Sequence, residues 1–193
     1  MEAKDYSKEL VETAHKICTA GKGILAADES PGSVDKKFNP IGLENNEENR
    51  RRYRDMLLTT KGLEEYISGV IFHEETARQS STDGTNFVEL LKSKGIVSGI
   101  KVDKGLAVIS NGKEENFTKG IEQLNDMAAE FYKLGCRFAK WRAVLKIGNG
   151  CPTDEAIKAN ATGLAKYASL CQKNGLVPIV EPEILSDGAH SAE

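Results

Sequence analysis

Five short apolar segments of the chain each run directly into charged side chains, and segments with helical spacing separate them. The segments predict strands over residues 23–27, 68–72, 97–101, 137–142 and 177–181. Successive strands begin about 30 to 45 residues apart, the spacing of repeated strand–helix units. The alternation predicts a parallel sheet with right-handed crossover connections.

The segments between the strands place apolar residues three and four positions apart, which is typical of amphipathic helices. The predicted helices cover about residues 7–20, 45–58, 85–94, 118–134 and 153–174. Ser7, Thr118 and Thr153 are the predicted N-caps of three of these helices. After the first strand, Pro31 and the two residues that follow it are predicted to break the chain.

Five strand–helix units fit two architectures. One is an open doubly wound sheet, and the other is a (β/α)8 barrel that is truncated after about the fifth strand. A complete barrel usually needs about 250 residues, and this chain has 193. No linker or low-complexity tract divides the sequence, so residues 1–193 are predicted to form a single domain, the N-terminal part of a barrel in the second case.

Composition and charge narrow the class of protein. A net charge of −3 provides no broad basic field for nucleic acid, and no apolar run is long enough for a membrane span. The cysteines are scattered without metal-ligand spacing, as are the three histidines, so no metal site is predicted. Buried, reduced thiols in a cytoplasmic protein are expected at Cys18, Cys136, Cys151 and Cys171.

Charged residues recur at the carboxyl ends of the predicted strands. Because residues two apart in a strand point to the same face, four strands each have an apolar face that becomes charged at this end. The residues concerned are Asp28, Lys101, Asp103, Lys140, Arg142, Glu181 and Glu183. They predict a ligand site at one rim of the sheet, where α/β proteins bind their ligands. A purely structural ion-pair network at the end of the sheet is the alternative.

Residue types suggest chemical roles at this rim. Lys140 lies beside Arg142, which disfavours its charged form and makes it a candidate proton carrier or imine former. The carboxyl groups of Glu181 and Glu183 are expected to separate in pKa and give one acid and one base. Arg142 and Lys101 suit an anion such as a phosphate. The pattern indicates proton transfer next to a carbonyl group of a phosphorylated metabolite, without a metal.

The sequence resembles class I fructose-bisphosphate aldolases from about Tyr6 to His190. The motifs that carry the resemblance lie at residues 21–30 (GKGILAADES), 47–51, 99–105, 138–142 (FAKWR) and 177–185 (VPIVEPEIL). The resemblance implies a (β/α)8 TIM barrel and the reversible cleavage of fructose 1,6-bisphosphate to dihydroxyacetone phosphate and glyceraldehyde 3-phosphate. Relatives work in glycolysis and gluconeogenesis in the cytoplasm, form homotetramers, and use a lysine Schiff base rather than a metal or another cofactor.

The resemblance also implies roles for single residues. Asp28 takes the proton from the substrate hydroxyl, and Glu181 is the acid and base of imine formation, with Glu183 and Lys140 beside it. The implied substrate-binding residues are Ser33, Lys37, Arg50, Lys101 and Arg142. Lys37 stands where many relatives carry an arginine, so a point charge replaces a bidentate phosphate contact.

The imine-forming lysine of the family lies on the sixth strand, which these 193 residues do not include. The chain is therefore expected to be a fragment of an aldolase that lacks this lysine. One alternative is a non-catalytic, truncated paralogue that binds phosphosugars or full-length subunits. Another is a different phosphosugar enzyme on a complete open sheet, with Lys140 as its imine lysine.

Overall fold

The computed structural model describes residues 4–191, and its main sheet has five parallel strands in the order β1-β2-β3-β6-β7. A two-stranded antiparallel hairpin, β4-β5, connects β3 to the next helix. The strands are β1 (Gly23–Ala27), β2 (Ile67–Phe72), β3 (Val97–Lys101), β4 (Leu106–Val108), β5 (Asn116–Thr118), β6 (Phe138–Leu145) and β7 (Val177–Ile184).

Helices of very different length connect the strands. They are α1 (Ser7–Ile17), α2 (Pro31–Phe38), α3 (Glu47–Leu58), α4 (Leu63–Tyr66), α5 (Glu74–Ala77), α6 (Phe87–Ser93), α7 (Ile121–Leu134) and α8 (Asp154–Lys173), with one 3₁₀ turn at Asn39–Ile41. Among the residues from 4 to 191, no helix combines the length and the apolar character that crossing a membrane requires.

The order of the strands decides between the two predicted architectures. A doubly wound sheet reverses its strand order at a switch point. Here the five strands of the main sheet are arranged in the same order as they occur along the chain, and every neighbouring pair is parallel. The sheet is a curled half-barrel, so the barrel prediction is confirmed and the doubly wound alternative is wrong.

The core has an outer and an inner part. The larger cluster packs the sheet against the helices and includes Phe72, Ile100 and Trp141. The smaller one lies inside the curve of the sheet and contains Ile17, Ile71, Val97 and Phe138. The Phe138 ring fits inside the curve because β2 and β3 have glycines there. A Cβ atom at Gly99 would lie 2.3 Å from this ring.

Two predicted helix starts are wrong and one is confirmed. Ser7 is the first helical residue rather than the cap, and its N–H donates to Asp5 Oδ1 at 2.9 Å. Thr118 belongs to β5, and α7 begins after Gly120, whose φ of 117° favours glycine. Thr153 caps α8 as predicted. The error at Thr118 arose because a three-residue strand has too little alternation to be recognised.

Residues 31–33 begin a helix instead of breaking the chain. Pro31 is the first residue of α2, where the N–H that proline lacks has no helical partner anyway. The Ser30 side chain accepts a hydrogen bond from the Ser33 N–H at 3.3 Å and so caps this helix. Ser33 is thereby placed in the first turn after β1, at the rim of the sheet.

The prediction of four buried thiols is only half correct. Cys136 and Cys171 are fully buried, and burial raises the pKa of each thiol to about 12. Cys18 follows α1 and is exposed, and Cys151 is partly exposed in the loop before α8. All four thiols are free. The apolar neighbours of Cys18 in the sequence wrongly predicted that it is buried. In α1, only the side of the helix that carries Thr13 and Ile17 is buried.

Candidate functional site

A cavity of about 630 Å³ opens at the carboxyl ends of the parallel strands. Eight of the residues predicted from the sequence line it, namely Asp28, Ser33, Lys101, Asp103, Lys140, Arg142, Glu181 and Glu183. The parallel pairing explains this convergence, because β3, β6 and β7 end at the same rim, with Lys101 beside Lys140 and Arg142 beside Glu181 in register. Lys37 and Arg50 are not among the lining residues.

Lys140 connects two carboxylates from opposite sides of the half-barrel. Its Nζ lies 3.2 Å from Asp28 Oδ2 and 3.4 Å from Glu181 Oε2. The Lys140 side chain is 16% exposed and that of Asp28 only 9%. Burial works against the charge of the ammonium group, but Asp28 and Glu181 outweigh it and raise the pKa of Lys140.

This raised pKa contradicts the expectation that Lys140 is destabilised in its charged form. The sequence argument considered only Arg142, which is the neighbour of Lys140 on the same face of β6. In the structure, the guanidinium group of Arg142 is paired with Glu183 and Lys140 has two carboxylates of its own. Lys140 is therefore an ammonium ion at neutral pH, which is a weak acid and a poor nucleophile.

Glu183 and Arg142 form a second charged cluster. Arg142 Nη2 lies 2.8 Å from Glu183 Oε1, and Nε donates to the other carboxylate oxygen. The hydrogen bonds from Arg142 lower the pKa of Glu183 and raise that of the guanidinium group. Glu183 is thus a stable anion. The assignment of one acid and one base to Glu181 and Glu183 stays a prediction.

Lys101 is held at the end of β3 by Asp103. Its Nζ lies 2.6 Å from Asp103 Oδ1, and the Asp103 side chain is 5% exposed. The second carboxylate oxygen, Oδ2, is buried and has no hydrogen-bond partner within residues 4–191. Asp103 also lines the cavity. An acceptor of this kind can bind a hydroxyl group of a ligand, since an unpaired buried carboxylate oxygen is costly.

The predicted phosphate-binding cations are engaged with carboxylates. Arg50 forms a bidentate pair with Glu75, with distances of 2.7 and 2.6 Å, which raises the pKa of Arg50. Lys37 contacts Glu29 and the Tyr53 hydroxyl. Of the five implied substrate-binding residues, Ser33, Lys101 and Arg142 line the cavity. The structure thus brings the Lys140, Arg142 and Lys101 clusters together and leaves Lys37 and Arg50 outside the cavity wall.

Several cavity residues were not singled out as site residues from the sequence. His73 follows β2 and caps α5, where burial lowers the pKa of its imidazole group. Glu29 joins Lys37 to Arg54, whose side chain is only 2% exposed. The run of arginines on α3 suggested a solvent-exposed helix face, and Arg54 is an exception to it. The apolar-to-charged transition after β2 was the available signal for His73.

Within residues 4–191, no group of three or more histidine, cysteine, aspartate or glutamate residues has an arrangement suited to a metal ion. The cations of the cavity are supplied by side chains. Asp28, Glu181 and Asp103 each contact a lysine ammonium group. Lys101 and Arg142 can donate hydrogen bonds to an anionic ligand, and Asp28 and Glu181 can donate or accept protons.

Comparisons with known proteins agree on one family. The model of the family "Fructose-bisphosphate aldolase class-I" matches residues 9–193. Fructose-bisphosphate aldolase 1 of Toxoplasma gondii is 54% identical over 190 residues, which are 97% of this chain and 52% of that protein. The cytosolic fructose-bisphosphate aldolase 5 of Arabidopsis thaliana is 54% identical over 185 residues, or 96% of this chain and 52% of that protein.

A solved structure supports the same relationship. The fructose-bisphosphate aldolase of Plasmodium falciparum, in complex with TRAP and a small-molecule inhibitor, superposes with a TM-score of 0.94 at 54% identity. The match covers 97% of this chain and 55% of that one. The chain therefore spans about half the length of the relatives that it matches, and its half-barrel follows their fold closely.

Proposed function

The chain belongs to the class I fructose-bisphosphate aldolase family, and from this premise we propose that its rim carries the proton-transfer part of a Schiff-base aldolase site. The proposed reaction is the reversible cleavage of fructose 1,6-bisphosphate to dihydroxyacetone phosphate and glyceraldehyde 3-phosphate. The observation that carries the proposal is the position of Lys140 Nζ, which contacts Asp28 at 3.2 Å and Glu181 at 3.4 Å.

The carboxylates match the proton transfers that this reaction needs. Formation of an imine from a ketone releases water, and a carboxyl group that alternates between acid and base assists that step. Glu181 is the proposed group. Cleavage of the carbon–carbon bond then moves its electron pair toward the iminium nitrogen while the hydroxyl of the departing aldehyde loses its proton. Asp28 is the proposed acceptor of this proton.

Lys140 is proposed to act as an ammonium ion rather than as the imine lysine. An imine former must be a neutral amine when it attacks, whereas Asp28 and Glu181 raise the pKa of Lys140. Its ammonium group lies between the two carboxylates and holds them close together. The imine lysine is proposed to belong to the part of an aldolase that follows the fifth barrel strand, as the resemblance implies. This assignment disfavours a separate enzyme that uses Lys140 as its nucleophile.

Phosphate binding is proposed at Ser33, Lys101 and Arg142, which line the cavity. Lys37 and Arg50 are also proposed contacts, although they lie outside the cavity wall. All four cations have carboxylate partners that a phosphate would replace or share. We further propose that the complete protein acts in the cytoplasm and assembles as a homotetramer. One of the similar proteins is described as cytosolic.

Borohydride trapping tests the proposed assignment. The 193-residue chain is incubated with dihydroxyacetone phosphate and reduced, and its intact mass is measured. We expect no adduct on this chain and a stoichiometric adduct on a longer product of the same reading frame. A stoichiometric adduct at Lys140 of the 193-residue chain would overturn the assignment. Failure of a longer, folded product to form an adduct would instead favour a non-catalytic paralogue.

Single substitutions in that longer product separate the proposed roles. Lys140→Met is expected to reduce cleavage of fructose 1,6-bisphosphate by at least about 100-fold, because Lys140 positions the two carboxylates that are proposed to transfer protons. Lys36→Met is the matched control, because Lys36 is exposed on α2 and does not line the cavity. Equal activity of the two variants would contradict the role of Lys140.

A further inference from the structure

A second, smaller cavity lies at the opposite end of β3 from the proposed active site. It has a volume of about 220 Å³ and is enclosed by α1, α6, the start of β3 and the segment that precedes β6. Val88, Ile96 and Val97 form its apolar wall. It shares no lining residue with the cavity at the carboxyl ends of the strands. A ligand here would therefore not compete with the substrate.

One wall of this cavity carries a buried hydroxyl group without a partner. Ser98 is 4% exposed, and its Oγ has no hydrogen-bond partner within the described residues 4–191. The Ser98 backbone is fully engaged in the fold, since its carbonyl oxygen accepts from the Arg137 N–H at 2.8 Å. A buried hydroxyl without a partner is costly, so an unsatisfied one that lines a cavity indicates a missing ligand atom.

The charges around the cavity leave one cation uncompensated. Arg137 Nε lies 2.7 Å from Glu9 Oε1, and Lys92 Nζ lies 3.8 Å from Glu89 Oε2. Lys16 also lines the cavity and has no ion-pair partner among residues 4–191. The five ionisable groups therefore sum to one positive charge. This charge favours an anionic ligand over a neutral or cationic one.

We propose that this cavity binds a small aliphatic carboxylate. The alkyl chain packs against Val88, Ile96 and Val97, where it is removed from water. The carboxylate accepts a hydrogen bond from the Ser98 hydroxyl, and the ammonium group of Lys16 compensates its charge. A hydrogen bond to an ionised acceptor is stronger than one to a neutral acceptor, which favours a carboxylate over an alcohol of the same length.

Hexanoate is the probe, and the 193-residue chain is observed by ¹H–¹⁵N NMR during the titration. We expect saturable shifts at residues that line the cavity, with hexanol at least about fivefold weaker. Ser98→Ala should weaken hexanoate binding by about fivefold or more, because it removes a hydrogen bond to a charged group. Lys16→Gln should weaken it by about threefold. Lys158→Gln, on the exposed side of α8, is the control and should have no effect.

Several results would overturn the proposal. They are shifts that do not saturate, equal binding of hexanol and hexanoate, and unchanged binding by both Ser98→Ala and Lys16→Gln. Shifts confined to Lys101 and Arg142 would show that hexanoate acts as an anion at the other cavity. Lys16 is exposed, so its variant keeps the test valid if Ser98→Ala does not fold. Borohydride trapping is independent of this titration, so either proposal can fail alone.

Discussion

Arg142 and Glu183 pair across β6 and β7 although they are not opposite one another in register. Glu181 is the residue beside Arg142, and Glu183 lies beside Val144. The guanidinium group nevertheless contacts Glu183, with Nη2 2.8 Å from Oε1, while Glu181 turns to Lys140 at 3.4 Å. This diagonal pairing separates the rim into two charged clusters, the Arg142–Glu183 pair and the Lys140 ammonium group with its two carboxylates. One holds a stable anion, and the other holds the groups that are proposed to move protons.

Replacing Arg142 by lysine should raise the pKa of Glu183 toward the ordinary value for glutamate. The hydrogen bonds from Arg142 are the main cause of the lowered pKa, and lysine cannot reproduce a bidentate contact. Titration of the side-chain carboxyl ¹³C signals by NMR measures this change. Lys146→Gln, which removes the cation that contacts Glu114, should leave Glu183 unchanged. An unaltered Glu183 titration in Arg142→Lys would contradict this reasoning.

The same pair predicts a small pH dependence of stability. Because the pKa of Glu183 is lower in the folded state, its contribution is present above the pKa of the unfolded chain and is lost as the pH falls through the folded value. The side chains of Arg142 and Glu183 are 40% and 33% exposed, so solvent reduces the contribution to below about 1 kcal/mol. Urea unfolding of the wild type and Arg142→Lys should therefore show a larger difference at pH 7 than at pH 3.

Glu29 is expected to be far more important for stability than its position on the rim suggests. Arg54 is 2% exposed, and Glu29 is the carboxylate that contacts it, with Nη1 3.0 Å from Oε2. Glu29→Gln leaves this buried guanidinium group without a countercharge. We expect the free energy of unfolding to fall by about 3 kcal/mol. Urea denaturation at pH 7 measures the loss.

Glu48→Gln is the matched control, since it also removes a carboxylate from an arginine of α3. The Glu48 side chain is 61% exposed and contacts Arg51 at 2.7 Å. Surface pairs of this kind contribute little, so we expect a change within about 0.5 kcal/mol. Similar losses in the two variants would show that burial of Arg54 does not determine the cost.

The parallel sheet and the composition of its rim could be predicted from period-two alternation, whereas the choice of a barrel over a doubly wound sheet came from the resemblance to the aldolases. Once β6 is parallel to β7, Lys140, Arg142, Glu181 and Glu183 must lie at one edge. The choice of partners could not be predicted. Arg142 lies opposite Glu181 in register but contacts Glu183, and only the tertiary structure brings Asp28 to Lys140. That choice explains why the predicted low pKa of Lys140 was wrong.

Short elements were also missed, for a different reason. The strands β4 and β5 have three residues each, and α4 and α5 have four. Segments of three or four residues are too short to show a repeated hydrophobic pattern, so periodicity cannot identify them. The start of α2 was missed because proline was read as a breaker, whereas position decides its effect.

Lys140→Met should destabilise the fold at pH 7 but not at high pH. The variant leaves Asp28 and Glu181 without their shared cation, which we expect to cost about 1 to 3 kcal/mol. The pKa of Lys140 is raised above its ordinary value of 10.5, so its contribution is complete below that pH and is lost as the pH rises through the folded pKa. Unfolding free energies of both proteins between pH 7 and pH 11.5 should therefore converge.

The control for this comparison is Lys61→Met, which changes an exposed lysine. Its free energy of unfolding should differ from that of the wild type by less than about 0.5 kcal/mol at every pH. A Lys140→Met deficit that stays constant up to pH 11.5 would show that lost packing, rather than lost charge, is responsible.

Two glycine substitutions should change stability in opposite directions. A Cβ atom at Gly99 would lie 2.3 Å from the Phe138 ring, which is fully buried inside the curve of the sheet and cannot move away. Gly99→Ala is expected to lower the free energy of unfolding by about 2 to 3 kcal/mol, the usual cost of overpacking.

Gly163 lies inside α8, where a Cβ atom meets nothing within 4 Å. Gly163→Ala should raise the free energy by about 0.5 to 1 kcal/mol, because alanine favours the helix and restricts the unfolded chain. Thermal and urea unfolding measure both changes, and a stable Gly99→Ala variant would show that the inner core around Phe138 is not tightly packed.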